Sequence, residues 1–233
     1  MNSHVIGQQP RCFALVPAAG IGARSGASGP KQYVPLAGRA MMAHTLAALA
    51  AVKQIEATLV VLSPEDDQFE NAVPGFEGWV ARCGGASRAE TVANGLVELT
   101  ARGAQPHDWV LVHDAARCLV RPEWIERLIT ECADDEVGGL LAFPLPDTLK
   151  QSAEGRVAAT VDRAGKWAAQ TPQMFRLGLL RPALVAMGAA ATDEASAVEA
   201  LGHAPLLVEA PMENFKVTWP ADFALAERLL NTR

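Results

Sequence analysis

Cysteine is scarce in this sequence and never paired: Cys12, Cys83, Cys118 and Cys132 are far apart, with no C-x-x-C among them. Neither a zinc cluster nor a disulfide framework is expected, and a reducing cytoplasm is the simplest location. No run of 18 or more apolar residues occurs, and the opening residues MNSHVIGQQPR lack the charged-then-apolar order of an export signal. Neither a membrane span nor export is expected. An excess of positive charge is missing too. Lysine and arginine number 20 against 26 aspartates and glutamates, a net charge of −6, so nothing draws the chain as a whole to nucleic acid or anionic lipid. Any phosphate it binds has to be met by a few placed cations. No G-x-S-x-G and no H-E-x-x-H is present, which removes the starting point for serine-nucleophile and zinc-hydrolase chemistry.

What is there is a folded chain. Its 233 residues are 50% hydrophobic and 20% charged, enough for a sizeable core and unlike a disordered segment. One domain over residues 1–233 is expected, with residues 1–10 disordered. Short apolar runs alternate with helical patterns: CFALVP from Cys12, MMAHTLAALAAV from Met41, ATLVVLS from Ala57, WVARCGG from Trp79, WVLVHD from Trp109 and GGLLAFPL from Gly138. That alternation is the mark of βαβ units and a mostly parallel sheet between two helical layers. Ser87 and Glu90 have capping-box spacing and predict a helix from Ser87, and Pro122 opens another. Further helices are expected from Pro172 to Met187, after Thr192 and after Pro220, with a strand at PLLVEA. Strand ends at Ala18, Gly84, Asp114 and Pro146 should share one edge, where open α/β sheets bind ligands.

The chemistry-bearing segments fall at those ends. The first strand runs into PAAGIGARSGASGPKQY, a glycine-rich loop carrying Arg24 and Lys31. Such loops let backbone N–H groups approach phosphate oxygens. The dinucleotide fingerprint fails at Ser25, and the Walker pattern fails because Pro30 precedes Lys31. What remains is a phosphate cradle flanked by two cations, or more blandly a surface loop with solvated ones. The run VLVHDAARC delivers His113, Asp114 and Arg117 to the same edge. Asp114 is a natural magnesium ligand there, since Mg2+ takes one or two carboxylates besides phosphate and water; the plainer role is a helix cap. A strand-end histidine is more often structural than a base, so His113 is left out. Thr192, with Asp193 and Glu194, reads as a helix cap rather than a substrate contact, and Trp167 and Trp219 read as packing residues.

Taken together, PAAGIGARSGASGPKQY, GGASRAETV, VLVHDAAR, DTLK, TVDR, TPQ, TDEAS and NFKVT, in that order, resemble the 2-C-methyl-D-erythritol 4-phosphate cytidylyltransferase family over residues 12 to 231. The resemblance implies a Rossmann-like nucleotidyltransferase fold and a homodimer. It also implies transfer of CMP from CTP to methylerythritol phosphate, with release of pyrophosphate, in non-mevalonate isoprenoid precursor synthesis. Arg24 and Lys31 match transition-state stabilisers, and Arg163 and Lys216 match the pair that positions the acceptor phosphate. Ala18, Ala19, Gly20, Gly22, Gly85, Thr91, Asp114 and Ala115 fall at CTP positions, and Asp114 at the magnesium-contacting aspartate. Arg117, Thr148 and Thr171 match further acceptor contacts. Thr91 stands where serine is common and keeps the hydroxyl. Cys118 stands where proline is usual, which should loosen the loop after Arg117, and Ala86 leaves only backbone for a ribose contact.

This chemistry agrees with the missing motifs. A phosphomonoester has its second pKa at about 6 and is mostly a dianion at neutral pH, so no protein base is needed. The difficulty is bringing two anions together and stabilising the charge that grows, which calls for cations and a metal. Two other readings compete. A cytidylyltransferase for another polyol phosphate, such as ribitol 5-phosphate, would share the CTP loop and differ over residues 147–171. A non-catalytic nucleotide-binding regulator would not need Arg24, Lys31, Asp114 and Lys216 together. Residues 147–170 break the βα rhythm and predict a projecting β-hairpin arm exchanged between subunits. A type II′ turn at Gly155 and Arg156 would set Thr148 opposite Arg163. An isolated hairpin is marginal in water, so a second subunit should cover it.

Overall fold

The computed structural model describes residues 9–20 and 29–233. Strand β1, Cys12–Ala18, shows how the apolar runs are used. Its alternate side chains enter two separate cores. Cys12, Ala14 and Val16 pack with Leu46 and Leu49 of α1 (Met41–Ala50) and with Ile125 and Leu128 of α4 (Pro122–Cys132). Phe13 and Leu15 point the other way, to Leu96 and Leu99 of α3 (Arg88–Ala101) and Leu180 of α5 (Leu177–Met187). A strand covered on both faces has no polar side, which is why it reads as an unbroken apolar run.

β1 pairs in parallel with β4 (Ile55–Leu62) and with β6 (Trp109–Val112), and β5 (Trp79–Ala81) extends the sheet beyond β4. Two very short strands, β2 (Pro35–Leu36) and β3 (Arg39–Ala40), lie outside it as a pair, and α2 (Phe69–Ala72) is a single turn. On the other side, β7 (Gly138–Pro144) pairs in parallel with β11 (Leu206–Glu209). Between β6 and β7 runs β10 (Trp167–Arg176), antiparallel to both, completing the order β11-β7-β10-β6-β1-β4-β5. The result is a mostly parallel sheet between two helical layers. The last helix, α7 (Pro220–Leu230), closes a third cluster with Leu36, Met41, Cys118, Leu119 and Val217.

Several expectations need correction. Residues 172–176 are the end of β10 rather than the start of a helix, and α5 begins at Leu177. Gln173, Met174 and Phe175 are paired on both sides and buried, and a short buried strand cannot be told from a buried helix by apolar spacing. In the arm, β8 (Leu149–Ala153) and β9 (Arg156–Val161) turn at Glu154 and Gly155, with φ of 50° and 76°. Two left-handed residues make this a type I′ geometry, so glycine holds the second central position, not the first. The pairing of Leu149 with Val161, after a bulge, puts the register one residue away from a Thr148–Arg163 pair. The capping box at Ser87 is half closed: Ser87 Oγ accepts the Glu90 N–H at 3.1 Å, but the Glu90 carboxylate accepts from Ala86, at 2.8 Å. The cap of α6 (Glu194–Glu199) is Asp193, one residue beyond Thr192. Trp219 is 56% exposed and so lies outside the buried core.

Candidate active site

The parallel strands β1, β4, β5 and β6 end at a common edge, and there the loops enclose a cleft of about 450 Å³. One wall is Ala18, Ala19 and Gly20 with Lys31 and Gln32; another is Gly85 to Arg88 with Thr91; the floor is Asp114, Ala115 and Lys216. Each wall is fixed by backbone capture. Gln32 Nε2 donates to Ala18 O at 2.9 Å, Thr45 Oγ1 to Ala115 O at 3.0 Å, and Lys31 Nζ to Val217 O at 2.6 Å. Thr91 Oγ1 accepts the Gly85 N–H at 3.1 Å and donates to Ser87 O at 2.9 Å, so it braces the loop that lines the cleft. Gly85 packs its backbone directly on Glu90: a Cβ there would fall 2.3 Å from Glu90 Cγ.

Asp114 is the electrostatic centre. It is 7% exposed, and both of its oxygens are engaged, Oδ1 by Arg88 Nε at 2.8 Å and Oδ2 by Lys216 Nζ at 2.8 Å. Arg117 Nε faces Oδ2 from 4.0 Å. Burial alone would raise the Asp114 pKa, but the charges of Arg88, Lys216 and Arg117 outweigh it and hold the carboxyl below its usual range. Arg117 is anchored by donating to Asn214 O at 2.7 Å and Ala169 O at 3.2 Å, while its Nε is buried without a hydrogen-bond partner.

The antiparallel course of β10 brings Thr171 beside the end of β6. Its Oγ1 accepts the Asp114 N–H at 3.0 Å and also contacts His113 Nδ1 at 3.0 Å. Among the described residues His113 Nε2 faces Arg117 O alone, at 3.3 Å, so the proton belongs on Nε2 and Nδ1 accepts from the threonine hydroxyl. Burial pushes the His113 pKa down to about 4. With both ring nitrogens committed and the ring fully buried, His113 is a neutral strut and not a base, in keeping with the structural role expected of a strand-end histidine.

Ala18, Ala19, Gly20, Lys31, Gly85, Thr91, Asp114, Ala115 and Lys216 therefore converge on one cleft, with Arg117 and Thr171 against Asp114. Gly22 and Arg24 lie outside the described residues, as do residues 1–8. Thr148 and Arg163 sit exposed on the arm and do not line the cleft of their own chain. Cys118 is 1% exposed within the cluster under α7, and the turn before it is closed by Arg117 N–H to Asp114 O at 3.0 Å; the slack expected after Arg117 is replaced by apolar packing. Sequence reasoning missed Arg88 and Glu194, which meet through two hydrogen bonds of 2.8 and 3.0 Å. Their only signal was position, three residues after Gly85 and inside TDEAS.

No group of three or more His, Cys, Asp or Glu able to hold a metal occurs among the described residues, and Asp114 is the one carboxylate lining the cleft. A metal anchored wholly by protein does not fit. A magnesium ion held chiefly by phosphate oxygens and water, with a single carboxylate, does.

The model of the family described as 2-C-methyl-D-erythritol 4-phosphate cytidylyltransferase matches residues 12–232. A Burkholderia cenocepacia protein named 2-C-methyl-D-erythritol 4-phosphate cytidylyltransferase is 52% identical, with 95% of this chain and 96% of that one covered. A bifunctional enzyme IspD/IspF of Albidiferax ferrireducens is 59% identical over 96% of this chain, which spans 54% of that protein's length. Among solved structures, a 4-diphosphocytidyl-2C-methyl-D-erythritol synthase superposes with a TM-score of 0.86 at 43% identity, covering 96% of this chain and 99% of its own. A cytidylyltransferase from Thermus thermophilus gives 0.79 at 32%, covering 95% and 99%.

Proposed function

This chain belongs to the 2-C-methyl-D-erythritol 4-phosphate cytidylyltransferase family, and on that premise we propose how its cleft carries out the reaction. The activity is a CTP-dependent nucleotidyl transfer: CTP and 2-C-methyl-D-erythritol 4-phosphate give 4-diphosphocytidyl-2-C-methyl-D-erythritol and pyrophosphate. An oxygen of the acceptor phosphate attacks the α-phosphorus of CTP. The bond from that phosphorus to the bridging oxygen breaks, and pyrophosphate leaves with the electron pair. The observation that carries this assignment is the convergence of Lys31 on the cleft where Arg88 and Lys216 hold Asp114, at the carboxyl edge of the sheet, with no free protein base lining it among the described residues. Positive charge fixed in place before the reaction is the kind of stabilisation a reaction between anions needs. His113 is neutral and occupied, and the dianionic acceptor needs no base.

In this reading the loop 85–87 takes the base, with backbone groups meeting a pyrimidine edge in a space that Glu90 and Thr91 keep narrow. Lys31, which lines the cleft, meets the triphosphate, and the resemblance gives Arg24 the same stabilising role. Asp114 would hold a magnesium ion, which would supply charge neutralisation to the phosphates. Lys216 then leaves Asp114 for the acceptor phosphate, which also supplies the missing partner of Arg117 Nε. The arm crosses to a second subunit in a homodimer, where Thr148 and Arg163 complete the acceptor site. Its exposure, and its separation from the main sheet, support this. Among the described residues no helix is long and apolar enough to cross a membrane, and the four free cysteines are consistent with a cytoplasmic setting.

The deciding experiment is pyrophosphate release from CTP with methylerythritol phosphate and ribitol 5-phosphate in turn, with and without EDTA, and with ATP or GTP replacing CTP. Turnover is expected with CTP and methylerythritol phosphate and should vanish on chelation. Equal turnover of a purine triphosphate would overturn the base site, and undiminished turnover in EDTA would overturn the metal.

A further inference from the structure

The Arg88–Glu194 pair does more than close a gap between helices. Glu194 is fully buried, and both of its oxygens accept from the terminal nitrogens of Arg88, at 2.8 and 3.0 Å. The third nitrogen, Nε, donates to Asp114 Oδ1 at 2.8 Å. One planar guanidinium thus bridges two buried carboxylates carried by separate elements, the start of α6 and the loop after β6. Glu194 is itself locked in place. The adjacent cap residue Asp193 accepts from Gln173 Nε2 at 2.9 Å, and Gln173 Oε1 accepts the Ala195 N–H at 2.8 Å, tying the start of α6 to β10. Burial disfavours the charged form of Arg88, but Glu194 and Asp114 outweigh it, so Arg88 is held firmly as a cation.

Such a pair is a weak stabiliser. Taking two charges out of water offsets much of their attraction, and apolar replacements of similar volume are often no less stable. A role in function accounts for it better. Of the two Asp114 oxygens, Oδ1 is committed to a donor that Glu194 fixes, whereas Oδ2 rests on Lys216, whose side chain is 36% exposed on a segment without regular structure. Only Oδ2 can exchange partners without breaking a buried network.

We propose that Arg88 and Glu194 are positioning residues: Glu194 locks the Arg88 guanidinium, and Arg88 locks Asp114 so that one oxygen alone is presented to the reacting groups. The idea rests on the nucleotidyl-transfer reading above. It is tested with Arg88→Lys, which keeps the charge but lacks the planar fork that grips Glu194 with two nitrogens and Asp114 with the third, and with the double variant Arg88→Gln/Glu194→Gln, which removes both buried charges at once. For Arg88→Lys, at a temperature where its circular dichroism matches wild type, kcat should fall roughly 10²-fold, the scale of a small misplacement at a reacting centre, while the KM for CTP changes little. Single Arg88→Gln should lose thermal stability because it orphans Glu194. The double variant should regain the part of that loss that comes from Glu194, leaving only the cost of the lost Asp114 contact, and still show the low kcat. A kcat that recovers together with the midpoint, or an Arg88→Lys chain as fast as wild type, would show that the pair is only structural. If the double variant stays unstable, Arg88→Lys decides alone. Should the wild-type chain itself release no pyrophosphate with any polyol phosphate, it is the reaction assignment that fails and not this coupling.

Discussion

Replacing Thr171 with valine isolates one hydroxyl and leaves the shape of the site unchanged. The side chain is 4% exposed and sits in a strand, where valine is well suited, so neither a cavity nor a propensity penalty is introduced. What disappears is the acceptor for the Asp114 N–H and the donor to His113 Nδ1, both at 3.0 Å. Each is buried, and an orphaned buried polar group costs about 1–3 kcal/mol, so the two together cost about 2–6 kcal/mol. For a domain of this size each kcal/mol lowers the thermal midpoint by about 2–4 °C, which sets the expected drop at no less than about 4 °C. Turnover should fall as well, because the backbone of Asp114 and the ring of His113 both lose their tether. Thr171→Ser, which keeps the hydroxyl, should recover most of the stability and the rate. The assay is paired: a thermal melt followed at two probes and pyrophosphate release from the same preparation. A valine variant that melts with wild type would refute the bridging role of the hydroxyl and with it the assigned His113 tautomer.

Lys31→Ala is expected to lower kcat by roughly 10² to 10³, the scale for removing one fixed charge stabiliser, with a smaller change in the KM for CTP; near-normal kcat in steady-state assays would reduce Lys31 to a binding contact. Mixing an Arg163→Ala chain with a Lys31→Ala chain should restore activity, because a heterodimer with exchanged arms contains one site free of both lesions. Subunit exchange by sedimentation without recovered turnover would count against the crossed arm. A pH prediction comes from the far end of the sheet, where buried Asp108 accepts from Arg11 Nη2 at 2.7 Å, Arg11 N–H at 2.8 Å and Gln105 N–H at 2.7 Å. Burial would raise its pKa, but these donors outweigh it and the net shift is downward. The folded state therefore binds this proton less readily than the unfolded chain. The stabilisation is complete above the unfolded value of about 3.9 and fades as pH falls through the lower folded value. The stability gap between wild type and Asp108→Asn in urea titrations should be widest near neutrality and narrow below about pH 4; a gap that persists unchanged at pH 2 to 3 would contradict the network.

Local order set much of this molecule. Runs such as CFALVP and WVLVHD are apolar because both faces of their strands are covered, and this is visible in the residues themselves. A parallel βα order then brings strand ends to one edge, so the order of elements alone places Asp114 and Gly85 near each other. Other features depended on contacts distant in sequence. Gln173 to Phe175 is a strand only because β6 and β7 flank it, information that apolar spacing within the segment does not contain. The arm's register turned on which of Glu154 and Gly155 opened the turn, a difference of one residue that changes every cross-strand pair. The role of Glu194 was hidden most completely. As a carboxylate at the start of a helix it looked like a solvated partner of the helix dipole. Only the docking of α6 against β10 and the start of α3 removes it from water and makes Arg88, 106 positions away, its obligatory counter-ion. Side-chain type and strand order are written along the chain, whereas the environment that sets a charge to work arises where distant segments pack and exclude water.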